Sequence, residues 1–139
     1  MDSSRLPRGA LPVTPSILVL LAEDDPLIAA AVADDLEEAA FAVRVAANGQ
    51  EAIALLDGEE AFSAIVTDIR LGEGPDGWKV ARHGRERNHY IPVVYMTGDS
   101  AHDHAVYGVP DSIMLQKPFV AAQLITAVTT LMNAVPPPA

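Results

Sequence analysis

Short apolar runs alternate with helical periodicities along this chain. Residues 17–22, ILVLLA, are apolar without a break, as expected of a strand buried on both faces. Asp25-Pro26 reads as an N-cap followed by proline at the first helical position, and Ile28, Val32 and Leu36 mark one face of a helix to about Ala40. FAVRVAA (41–47) alternates as a strand. Asn48 with Glu51 resembles a capping box for a helix with Ala52, Ile53 and Leu56 inward. SAIVTD (63–68) is a third strand, and the glycine- and proline-rich LGEGPDG (71–77) leads into a helix from about Asp76 to Asn88. IPVVYMT (91–97) and SIMLQK (112–117) are the fourth and fifth strands. FVAAQLITAVTTLMN (119–133) closes as a helix with Leu124, Val128 and Leu131 on one side. Between them, 98–111 has room for only a short, mobile helix, bounded by Gly108 and Pro110.

Strands alternating with helices over short links predict a doubly wound α/β domain, a five-stranded parallel sheet with helices on both faces. The folded part is expected over 16–134. The proline-bearing ends, 1–15 and 135–139, read as tails, since neither can bury much apolar surface.

In such sheets ligands bind beyond the carboxyl ends of the strands. There the chain places Glu23-Asp24-Asp25 after strand one, Asp68 after strand three, Thr97 after strand four and Lys117-Pro118 after strand five. A polar residue at a strand end is ordinary, because loops are wet; their convergence on one crevice is not. Two carboxylates about 4 Å apart repel by about 4 kcal/mol at an effective dielectric near 20. Lys117 could form a simple ion pair with Asp68, yet one lysine against Glu23, Asp24 and Asp68 leaves negative charge uncompensated. A divalent cation answers that need, and an all-oxygen set without His or Cys favours Mg²⁺. Mg²⁺ bound by so few carboxylates commonly takes a phosphate oxygen as well, so a phosphoryl group is the expected partner. A carboxylate beside Mg²⁺, a lysine and a hydroxyl donor can act as nucleophile on phosphorus.

Composition narrows the class. A net charge of −10 without a Lys/Arg cluster argues against a nucleic-acid binder, and ARHGRER (81–87) reads as the wet face of one helix. No apolar run approaches the ~18 residues of a membrane span. The first fifteen residues lack the apolar stretch of a secretory signal. Zero cysteines exclude disulfides and thiolate metal sites and fit a reducing compartment. A cytoplasmic protein is the expectation.

ILVLLAEDDPLI, IVTDIRLGEGPDGW, VVYMTGDS and LQKPF, in this order, resemble the receiver domain of two-component response regulators over about 16–133. The resemblance implies a flavodoxin-like sheet of order 2-1-3-4-5 and a phosphoacceptor at Asp68. It implies an acidic pair at Glu23 and Asp24, and Mg²⁺ held by Asp24, Asp68 and the Arg70 backbone carbonyl with Glu23 nearby. It also implies phosphoryl contacts from Thr97 and Lys117 and a cis bond before Pro118. The phosphodonor would be a sensor histidine kinase or a histidine phosphotransfer protein. The GEGPDG loop, with YMTGDS, GVPDS and LQKPF, is similar to single-domain alphaproteobacterial receivers.

The chain departs from the family where the usual switch aromatic is Met114, so switching is expected through 98–111 instead. Arg70 and Asp99 fall where the family tunes dephosphorylation; as a pair across the mouth of the site they would hinder the attacking water. In HDH, His102 and His104 point apart on a helix and do not read as metal ligands. Trp78 reads as packing or part of a partner surface. With six residues after Asn133, a stand-alone receiver is expected, signalling through an unknown downstream protein or draining a kinase as a phosphate sink. The rival is a pseudo-receiver that binds partners without phosphate. A phosphatase would need a second acid two residues after Asp68, where Arg70 stands. A flavin binder would need a Ser/Thr/Gly-rich phosphate loop after strand one.

Overall fold

The computed structural model describes residues 17–136; the expected tail over 1–15 lies outside them, as do residues 137–139 of the other tail. In chain order the elements are β1 (Ile17–Ala22), α1 (Pro26–Glu38), β2 (Phe41–Ala46), α2 (Gly49–Asp57), β3 (Ala64–Asp68), α3 (Gly77–Arg87), β4 (Val93–Thr97), α4 (His104–Tyr107), β5 (Ile113–Gln116) and α5 (Ala121–Asn133). All strands are parallel in the order β2-β1-β3-β4-β5, the flavodoxin-like topology.

The unbroken apolar runs are explained by burial on both faces. Leu20, Ala22, Ile65, Val93 and Tyr95 pack with Ala52 and Leu56 of α2 and Trp78, Val80 and Ala81 of α3. Their neighbours Val19, Leu21, Val66, Val94 and Met96 pack on the other side with Val32 and Leu36 of α1 and Leu124, Ala127 and Val128 of α5. Each fully buried Val, Leu or Ile contributes about 1.5–3 kcal/mol relative to exposure. Every residue of β3 and β4 is buried, whereas edge strand β2 leaves Val45 exposed and β5 is only half-buried.

Local chemistry sets the element ends. The Asp25 carboxylate accepts from the amides of Leu27 (2.9 Å) and Ile28 (3.4 Å), with Pro26 opening α1. At α2, Asn48 Oδ1 accepts from the Glu51 amide (2.8 Å), but the Glu51 carboxylate reaches back to the amide of Ala47, one residue before the expected box partner. β4 starts at Val93 rather than Ile91, because Pro92 has no amide for the ladder. The last helix starts at Ala121 rather than Phe119: Val120 is extended, and its amide donates to Gln123 Oε1 at 2.9 Å.

The short fourth helix is present as expected, four residues after a 3-10 turn at Ala101–Asp103. Neither piece has a side-chain cap, so tertiary contacts hold them. The fully buried Tyr95 takes the Val109 amide on its hydroxyl at 3.0 Å. Its ring meets Trp78 (centroids 4.7 Å apart) and His104 (5.7 Å), and Trp78 also meets Tyr107.

Candidate functional site

The ladder runs past the strand ends and so aims the side chains that follow. The Glu23 amide donates to Ala46 O (3.0 Å), and the Lys117 amide to Thr97 O (2.7 Å). These backbone bonds carry Glu23 and Lys117 onto the crevice at the end of β3. There the Lys117 ammonium donates to Glu23 Oε1 at 2.9 Å and to Asp68 Oδ2 at 3.0 Å. The Lys117–Pro118 bond is cis. Glu23 is 2% exposed and Asp68 8%. The other Glu23 oxygen accepts from the Asp25 amide at 3.1 Å, which ties the acidic pair to the start of α1.

Asp24, exposed beside them, completes a cluster: one carboxylate oxygen each from Glu23, Asp24 and Asp68 lie within 4.8 Å of one another. Three carboxylates against one ammonium leave two formal negative charges. Burial pushes the Glu23 carboxyl above its ordinary range, against its hydrogen bonds to Lys117 and the Asp25 amide. At Lys117 burial works against the ammonium, but the hydrogen bonds to Glu23 and Asp68 outweigh it and raise its pKa. The donors are hard oxygens with one acid open to solvent. That set fits a small divalent cation, and among the described residues no nitrogen or sulfur ligand belongs to it.

Thr97 is 1% exposed, and its Oγ1 accepts two backbone donors, the amides of Asp99 (3.2 Å) and Ser100 (2.8 Å). With its lone pairs engaged, the hydroxyl has its proton left to give. Arg70 and Asp99, the residues two positions beyond Asp68 and Thr97, do pair: Nε to Oδ1 at 3.3 Å and Nη2 to Oδ2 at 2.9 Å. The Asp99 carboxyl is held below its usual range by its hydrogen bond from Ser100 and then by Arg70.

The β3–α3 loop builds the outer wall. Gly72 and Gly74 turn it with φ of +78° and +91°, a region other residues seldom enter. Gly77 then returns the chain so closely to β3 that any side chain there would run into the Asp68 carbonyl. The result is a cleft lined by Asp24, Arg70, Gly72, Asp76 and Ser100. A larger groove of about 900 Å³ opens near the start of β4 and β5, between Arg85, Tyr90, Val109 and Leu131; none of the strand-end acids lines it.

Of the residues expected from sequence, Glu23, Asp24, Asp68 and Lys117 come together, Thr97 sits at the adjoining strand end, and Arg70 and Asp99 close one side. Met114 lies apart, beside Tyr95 in the sheet register and packed against the same apolar cluster. His102 and His104 diverge: the first approaches Asp103 (3.4 Å), the second bonds Ser112 Oγ (2.8 Å). Trp78 is buried packing. Ser100 went unnoticed in the sequence, although a serine three residues after Thr97 is a turn-forming pattern that could have drawn attention to it.

A parallel α/β sheet whose strand ends gather three acids, a lysine and a threonine hydroxyl defines a class of phosphoryl- and metal-handling domain. The chain matches the response regulator receiver domain over residues 19–129 and belongs to that family. Receiver domains are the modules of two-component signalling that take phosphoryl groups from histidine kinases on an aspartate and bind Mg²⁺ at an acidic site. A response regulator receiver protein from Sinorhizobium medicae is 44% identical, with a TM-score of 0.85 over 87% of this chain and 98% of that one. The transcriptional regulatory protein TcrA of Mycobacterium tuberculosis is 29% identical across 99% of this chain, and CusR of Escherichia coli 31% across 83%. The match takes in 54% and 51% of those proteins, so the chain spans about half the length of these curated relatives. The receiver domain of the Pseudomonas aeruginosa sensor kinase PA1611, solved with magnesium in its active-site cleft, has the same fold at 22% identity (TM-score 0.75; 86% of this chain, 100% of that one).

Proposed function

We propose that Asp68 is the phosphoacceptor of this receiver. The observation that carries the reading is the Lys117 ammonium shared between Glu23 and Asp68 (2.9 and 3.0 Å) with Asp24 alongside. The site's two excess negative charges call for a cation, and that cation with Lys117 can then receive an anionic phosphoryl group. An Asp68 oxygen attacks phosphorus, the P–N bond of a donor phosphohistidine breaks, and the imidazole leaves with the electron pair. Lys117 and the free proton of the Thr97 hydroxyl meet the phosphoryl oxygens of the resulting acyl phosphate. Asp24 and Asp68, with the Arg70 carbonyl, would hold Mg²⁺, Glu23 staying close through Lys117. Bound there, the metal would supply positive charge that offsets these carboxylates and an incoming phosphoryl group. The Arg70–Asp99 bridge stands where water would approach, and so prolongs the phosphorylated state.

The phosphodonor is a sensor histidine kinase or a histidine phosphotransfer protein, which places the reaction in the cytoplasm. Among the described residues no helix is long and apolar enough to cross a membrane. With Met114 at the usual switch position, the change of state runs through 98–111. The signal leaves by contact with a downstream protein, or the domain serves as a phosphate sink. The proposal takes the receiver to work on its own, and the mass of the native protein in its own cells tests this.

The decisive test is incubation of the wild type and Asp68→Ala with acetyl phosphate and Mg²⁺, read by intact mass. One phosphoryl group on the wild type and none on the variant is expected. A wild type that stays unlabelled would overturn the reading in favour of a phosphate-independent pseudo-receiver. Phosphotransfer from the organism's kinases, with the time course of loss, then separates a messenger from a sink.

A further inference from the structure

The Arg70–Asp99 bridge is a weak latch on its own. The two side chains are 76% and 57% exposed, and ion pairs so open to water hold their geometry poorly, with interaction energies of about 0–1 kcal/mol. Something must keep the Asp99 carboxylate turned toward Arg70.

Ser100 is that group's neighbour and is buried, 9% exposed, on the wall of the cleft. It makes two bonds in two directions. Its amide donates to Thr97 Oγ1 at 2.8 Å, and its hydroxyl donates to Asp99 Oδ1 at 2.9 Å. Asp99 Oδ1 is also the oxygen that Arg70 Nε reaches (3.3 Å), while Oδ2 takes Arg70 Nη2 (2.9 Å). A chain of hydrogen bonds therefore runs from the buried hydroxyl of Thr97, through the backbone and side chain of Ser100, to the exposed bridge over the mouth. Because Ser100 is packed, its hydroxyl has a fixed direction. A fixed donor limits the rotamers of Asp99 and lowers the entropy lost when the bridge closes.

We infer that Ser100 is a positioning residue for the lifetime of the phosphorylated state: its hydroxyl orients Asp99 and so keeps the Arg70–Asp99 bridge across the path of the attacking water. The inference rests on Asp68 as phosphoacceptor. The Ser100 hydroxyl donates to Asp99 and not to Asp24 or Asp68, so it acts through Asp99. Its two functions are separable, since the amide bond to Thr97 survives any side-chain change, whereas the hydroxyl bond to Asp99 does not.

The test labels the wild type, Ser100→Ala, Ser100→Cys, Ser100→Thr, Arg70→Ala and Arg70→Ala/Ser100→Ala with acetyl phosphate and Mg²⁺, removes the donor, and follows loss of phosphoryl. Ser100→Ala is expected to lose it about threefold faster, the scale on which an exposed ion pair acts. Ser100→Cys, close to serine in volume but a poor donor, behaves like Ser100→Ala, and Ser100→Thr, which keeps the hydroxyl, approaches the wild type. In the Arg70→Ala background the serine substitution adds nothing, because the latch it orients is already gone. A purely structural role would act equally in both backgrounds, and that result overturns the inference. So does wild-type decay in Ser100→Ala and Ser100→Cys. A wild type that never labels instead removes the Asp68 reading itself.

Discussion

Replacing Lys117 by methionine would leave Glu23 and Asp68 facing each other without the ammonium they share (2.9 and 3.0 Å). Their oxygens lie within 4.8 Å, where two unit charges repel by about 3.5 kcal/mol at an effective dielectric near 20. Removing one partner from a buried ion pair costs about 3–5 kcal/mol, and the Lys117 side chain is 23% exposed, so about 2–4 kcal/mol is expected near pH 8. The sign of the pH dependence follows from Glu23, whose carboxyl is already raised above its ordinary 4.5 by burial. Between that value and the folded one, the folded state holds more protons than the unfolded chain, so stability falls as pH rises. Loss of Lys117 removes the hydrogen bond and charge that restrain this rise and widens the window upward. The deficit should therefore be full in mild alkali and shrink as pH falls through the raised Glu23 value, before the ordinary 4.5 is reached. Mg²⁺ should stabilise the variant more than the wild type, because it replaces the missing positive charge. Urea unfolding followed by far-UV circular dichroism, at about pH 8 and about pH 5.5 with and without Mg²⁺, measures all of this. A deficit equal at both pH values and indifferent to Mg²⁺ would refute the electrostatic reasoning and leave Lys117 a packing role.

Two contrasts probe the frame behind the site. Gly77→Ala should cost about 3 kcal/mol and impair labelling of Asp68, since its methyl would meet the Asp68 carbonyl and Ile69 Cα, which cannot move independently of β3. Gly84→Ala should cost about 1 kcal/mol or less by the same urea assay: its methyl meets only the tip of the Ile65 side chain, and helix propensity offsets the strain. Tyr95→Phe removes the acceptor of the buried Val109 amide (3.0 Å) and should cost about 1–3 kcal/mol. Hydrogen exchange at Val109 should accelerate beyond the global change, and unaltered exchange there would show that water satisfies the amide.

Periodicity alone determined much of this protein. ILVLLA, SAIVTD and PVVYMT are apolar on both faces because β1, β3 and β4 are covered on both, so the layers and the end of the sheet carrying the chemistry were legible before any coordinates. The caps at Asp25 and Asn48 were legible too, because a cap is a contact between residues two or three apart. The motifs at the strand ends named Glu23, Asp24, Asp68, Thr97 and Lys117 as a set. Tertiary structure alone decided how the set is wired. Lys117 divides its bonds between partners 94 and 49 residues away, and which oxygens it reaches depends on how β1, β3 and β5 settle against their helices. The shortened α4 is held by Tyr95 and Trp78, whose rings meet its His104 and Tyr107, a cluster drawn from three separate segments. Ser100 looked like a loop serine until its burial gave its hydroxyl one direction to point. Hydrophobic pattern is a local property and survives in the sequence; the direction of a hydrogen bond between distant segments exists only once packing has fixed both ends.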